Sequence, residues 1–118
     1  MLEASEESVR ITEPKDGDSV PVGPFVKGIV SDPQVKKVWV IVHPMEVADC
    51  WVQQSANVKE DRTWKVKVAI GRPGRKDVGK QFEIMAVVNP ESKLRVGDIL
   101  PGWPEAQWTS QVIEVTRK

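Results

Sequence analysis

The segment Gly74-Arg75-Lys76-Asp77-Val78-Gly79-Lys80-Gln81 has the spacing of a phosphate-binding loop, G-x-x-x-x-G-K. In that loop, backbone N–H groups cradle phosphates and the next Ser or Thr holds Mg²⁺. Gln81 stands at that place here, and Phe82 to Val88 continues with the period of a strand. A phosphate cradle needs a helix N-terminus after it, so no nucleotide site is expected. The same stretch gathers Arg72, Arg75, Lys76 and Lys80 against the single carboxylate of Asp77. This is a candidate anion loop for phosphate, sulfate or an acidic glycan. More often such a charge cluster is simply solvated.

Other reactive residues are few. His43 and Cys50 are the sole histidine and cysteine, and Asp49 is near both in sequence. Nucleophilic catalysis would need a base within hydrogen-bonding reach and an oxyanion site, and neither is signalled. One His and one Cys fall short of the usual four zinc ligands. We therefore expect His43 to be structural and Cys50 to be a small buried hydrophobe. Asp16-Gly17-Asp18 could offer oxygens to calcium, but a tight turn accounts for the same residues without an ion. No enzyme and no cofactor are expected.

The tryptophans carry more information: there are five, against two Phe and no Tyr. Trp103, Glu105, Gln107 and Trp108 lie together in the connection before the last strand, where sandwich folds place binding loops. Two indoles could stack on a sugar face while Glu105 and Gln107 bond its hydroxyls, or the same indoles could plug the open end of the core. Trp39 is out of phase with Val38, Val40 and Val42. Either Trp39 is the central core tryptophan, or Trp39, Ile41 and His43 face outward. In the second case Trp51 with Gln53, and Met85 with Val87, supply neighbouring rows of an apolar outer face that a partner, another domain or a sugar would cover. Both Phe residues read as core, so stacking on single-stranded nucleic acid would fall to Trp alone.

These residues need a scaffold. The chain has 118 residues, 40% hydrophobic and 29% charged, which is enough to bury a core without disulfides or metal. Lys+Arg and Asp+Glu are each 17. A neutral total gives no general reason for nucleic-acid binding, although a local basic patch remains compatible with it. No apolar run is long enough for a membrane span, and residues 1–7 read as a flexible acidic tail rather than a signal peptide.

Residues 8–118 are expected to form one all-β domain. Val9-x-Ile11, Phe25–Val30, Lys37–His43, Asp49–Gln54, Thr63–Ile70, Gln81–Val88 and Thr109–Thr116 read as about seven strands between Gly/Pro/Asp turns. Lys37–His43 is an apolar β-branched run, the mark of a strand buried on both faces. In Thr63–Ile70 the residues Trp64, Val66, Val68 and Ile70 alternate with Lys65 and Lys67, as in a sheet with one wet face. Leu94–Trp108 reads as a long connection. The pattern predicts an immunoglobulin-like, two-sheet antiparallel sandwich.

Val9-x-Ile11-x-x-Pro14-x-x-Gly17-x-x-Val20, followed by Val26-x-Gly28-x-Val30, resembles the first two strands of prokaryotic immunoglobulin-like domains of surface and secreted proteins. Trp64-x-Val66-x-Val68 and Phe82-x-Ile84-x-Ala86 are similar to their later strands. The resemblance implies a non-catalytic spacer, adhesion or binding module within a larger extracellular or cell-surface protein. The partners would be other domains of the same polypeptide, a protein or a glycan. Nucleic acid and membrane insertion are not expected, and the module is expected to be monomeric. The alternative is a carbohydrate-binding module that uses the loop and face tryptophans.

Overall fold

A computed structural model describes residues 8–118. The segment 1–7, expected to be an acidic tail, lies outside the described residues. The strands are β1 (Val9–Glu13), β2 (Ser19–Val20), β3 (Phe25–Val30), β4 (Lys37–Pro44), β5 (Cys50–Val52), β6 (Ala56–Asn57), β7 (Thr63–Lys67), β8 (Gln81–Pro90), β9 (Ile99–Leu100), β10 (Ala106–Thr109) and β11 (Ile113–Arg117). They form two sheets, β1-β3-β7 and β2-β11-β8-β4-β5-β9, with β10 also on β8 and β6 on β4. The fold is an all-β, immunoglobulin-like sandwich. The seven expected runs are all present, and β2, β6, β9 and β10 add short segments inside the expected turns and connections. One pair, β2 with β11, is parallel.

The core follows from period-two alternation. Val26 and Val30 of β3, Trp64 and Val66 of β7, Val38, Val40 and Val42 of β4, and Phe82, Ile84, Ala86 and Val88 of β8 meet between the sheets. Trp64 is the largest fully buried side chain. Its cross-strand partner is Gly28, and a Cβ there would run into the Trp64 ring and the Arg10 carbonyl. Glycine is required because the indole occupies the space a side chain on β3 would take.

β4 settles the two phases that its sequence left open. Val38, Val40 and Val42 belong to the inter-sheet core, so Trp39 is not the core tryptophan. Trp39, Ile41 and His43 face outward, where Ile41, Cys50, Val52, Met85, Val87 and Leu94 form a second buried cluster with Trp39, Leu100, Trp103 and Ala106 packed against it. The cover is the chain's own connection between β8 and β10, not a partner. That connection is tied down where β9 pairs with β5. Trp51 does not join the outer face: it pairs with Val42 and so shares the inner phase. Phe25, expected in the core, is 50% exposed, because Val26, Gly28 and Val30 take the inner phase of β3.

β10 and β11 both pair with β8. Between Thr109↔Val87 and Ile113↔Ile84, one extra residue is inserted on the β10–β11 side. Ser110 fills that bulge. It is buried, and its hydroxyl accepts from the Ala86 N–H at 2.9 Å and donates to the Gln111 carbonyl at 2.9 Å.

Candidate functional site

The six-stranded path of the second sheet is wider than the three-stranded sheet it covers. Beyond β7 the chain touches the inner side of β5 at Gln53, whose side-chain oxygen accepts from the Ala69 N–H at 2.9 Å. Trp51 and Ile99, directly opposed on these strands, are 40% and 52% exposed. A groove of about 490 Å³ lies at this overhang. Its apolar wall is Val42, Trp51, Ala69 and Phe82, and its rim is Glu46, Asp49, Gln53, Arg72, Asp77 and Lys80. That volume lies within the range of small-ligand sites.

The rim is built by the 71–80 loop and the turn after β4. Gly71 has φ +81°, and a Cβ there would press on Asp77 and Phe82. Asp77 is 5% exposed. Its carboxylate accepts from the Arg72 N–H at 2.6 Å and from the Arg72 guanidinium at 3.2 and 3.1 Å, and it lies 3.1 Å from the Lys80 ammonium. These bonds, the Arg72 side chain first, hold the Asp77 carboxyl well below the usual carboxylate range. Lys80 also bonds Glu46 at 3.1 Å. From beneath, the buried guanidinium of Arg117 donates to the carbonyls of Ile70 (3.0 Å), Arg72 (2.7 Å) and Gly74 (2.6 Å). Arg117 stands in phase with Val115, the one sequence signal that it points inward.

The four cations of the candidate anion loop therefore have two fates. Arg72 and Lys80 are paired with carboxylates. Arg75 and Lys76 are exposed and form no ion pair among the described residues. The rim carries Glu46, Asp49 and Asp77 against Arg72 and Lys80, an excess of one negative charge. The loop runs directly into β8, so the phosphate-loop spacing lacks the helix it would need.

The loop tryptophans do not form one platform. Trp103 packs on the outer cluster, while Trp108 pairs with Val88 and packs against the inter-sheet core. The two indoles thus lie on opposite faces of one sheet. Glu105 lines a second, more open depression around Trp103 of about 440 Å³. Exposed Gln107 accepts from the Asn89 amide at 2.8 Å. The signal for the groove was available in Trp51, but its phase is fixed only by the β4–β5 register.

His43 is an anchor on the outer face. Its Nδ1 lies 2.8 Å from Glu83 Oε1 and its Nε2 lies 2.7 Å from the Val47 carbonyl, and Trp103 stands edge-on to the ring at 5.7 Å. It ties the turn that carries Glu46 to β8. Burial pushes the Cys50 thiol up, and Glu83 and Asp49 add to this, so the thiol stays neutral. Asp16 and Asp18 serve the turn reading: Asp16 accepts from the Glu114 N–H and Asp18 from the Lys15 N–H. Among the described residues no group of three or more His, Cys, Asp or Glu converges as a metal site. No described helix is long and apolar enough to cross a membrane.

No family model matches the chain, and no curated protein matches it. Among solved structures, it is similar to a chain from the structure described as the structural basis of T cell specificity and activation by the bacterial superantigen toxic shock syndrome toxin-1. The identity is 7%, the TM-score 0.48, and the coverage 93% of this chain and 98% of that one.

Proposed function

We propose that this chain is a non-catalytic interaction module of a larger protein, and that the overhang groove beside Trp51 is where it binds. The observation that carries this reading is the half-exposed Trp51 over an apolar wall of defined volume. Such a face loses stability to water unless something covers it. The resemblance to prokaryotic immunoglobulin-like domains supports the module reading and, with it, an extracellular or cell-surface setting.

The carbohydrate alternative is favoured at this groove rather than at the loop tryptophans. An indole wall ringed by carboxylate, amide and ammonium groups suits a neutral sugar, with ring stacking and hydroxyl hydrogen bonds.

The test follows the five indole N–H signals by NMR as soluble neutral oligosaccharides are added to the full chain. The expected result is a saturable shift at Trp51, lost in Trp51→Ala, with Trp64 unmoved. No shift at Trp51 with any neutral glycan would leave a spacer that displays no sugar site there.

A further inference from the structure

The chain is neutral overall, but the outer face of the three-stranded sheet is not. Register places Arg10, Phe25, Lys27, Ile29, Thr63, Lys65 and Lys67 on that face, opposite in phase to the core residues of β1, β3 and β7. Arg10, Lys27, Lys65 and Lys67 are exposed. The carboxylates there are Glu13, 3.5 Å from Lys27 in an exposed pair, and Asp61, whose Oδ1 accepts from the Thr63 hydroxyl at 2.7 Å, so four cations stand against two carboxylates.

The cations are arranged as a track. Arg10 opposes Ile29, Lys27 opposes Lys65, and Lys67 opposes Phe25. Cations thus step diagonally from β1 to β3 to β7, about 8 Å per step from the strand spacing and two-residue rise. Like charges directly opposite in a sheet destabilise it, and Lys27 opposite Lys65 is such a pair. Phe25 lies beside the track, with the Lys65 ammonium 5.0 Å from its ring centre.

We infer that this face binds an anionic polysaccharide laid diagonally across β1, β3 and β7. Its acidic groups would meet Arg10, Lys27, Lys65 and Lys67, and a sugar ring would rest on Phe25. The face has no cleft, so the partner must be extended. A single aromatic ring offers no run of stacking platforms for single-stranded nucleic acid. One ring held beneath a lysine gives too little apolar insertion for a bilayer, where stable anchoring takes two signals. This site is separate from the Trp51 groove, which opens beside β5 and the 71–80 loop.

The test measures binding of the full chain to a size-defined heparin oligosaccharide by calorimetry over a salt series. The Lys27→Gln/Lys65→Gln/Lys67→Gln variant is expected to raise Kd about tenfold or more and to lower the log–log salt slope by about two, as loss of three ionic contacts requires. Lys36→Gln/Lys93→Gln, exposed elsewhere, should leave Kd unchanged, and so should Trp51→Ala. The inference is overturned if heparin does not bind at low salt, or if the triple variant binds it as well as the parent. It is also overturned if an oligothymidylate or phosphatidylserine-containing vesicles bind more tightly than heparin through the same three lysines.

Discussion

Trp64 and Trp39 differ in what surrounds them. Trp64 is 1% exposed, in van der Waals reach of Gly28 across the strand pair, and its indole N–H has no hydrogen-bond partner among the described residues. Packing against the strand backbone and the core holds the ring. Trp39 is only half-buried, on a face covered by a connection, with the Lys37 ammonium 5.6 Å from its ring centre. Trp64→Ala should therefore cost about 3–5 kcal/mol, and Trp39→Ala about 1–2 kcal/mol, because a half-buried ring gives up less area. Urea unfolding of both variants checks the order. Equal losses would mean that the outer cluster is as much the core as the space between the sheets. The phase of Trp64 was legible because Lys65 and Lys67 mark the wet side of β7. The phase of Trp39 was not, because both faces of β4 are apolar and alternation vanishes when a strand is covered twice.

At the scale of the element, the 71–80 loop shows how a charged segment can be a structural unit. Its composition reads as a solvated basic loop or an anion cradle. Its geometry is that of a knot around Asp77, fed from above by Arg72 and Lys80 and from below by Arg117. Spacing alone could not reveal this, since Arg117 reaches the loop from the far end of the chain. The sign of its pH dependence follows from the direction of the Asp77 shift. A carboxyl whose folded pKa is depressed contributes stability that is fully present above the unfolded value of about 4 and is lost as pH falls toward the folded one. Asp77→Asn should thus melt below the parent by a constant margin at neutral pH, and the margin should shrink progressively as pH is lowered through the acid range. Thermal melts across that range measure it. A margin independent of pH would show that the carboxylate charge is not what holds the loop.

Over the whole molecule, unequal sheets govern both shape and stability. The smaller sheet shields only part of the larger, and the connection between β8 and β10 shields part of the opposite side. Where the two covers overlap, β4 and β8 are buried on both faces: Val40 and Ile41, and Ala86 and Val87, are all 0% exposed. Where only one cover reaches, at β5 and β9, the inner face opens into the groove. The strands were legible in their alternation but this offset was not, because offset depends on which strands pair, and β9 is two residues inside what reads as a loop. Local opening energies scale with how much buried contact must be broken. Amide hydrogen exchange should therefore be slowest at the centres of β4 and β8 and fastest at β9 and the adjoining edge of β5. A groove ligand that rests on Trp51 should slow exchange at β5 and β9 while leaving the β4–β8 centre unchanged. If β9 exchanged as slowly as β8 without ligand, the overhang would be a rigid part of the core, and the single cover at β5 and β9 would not govern local opening.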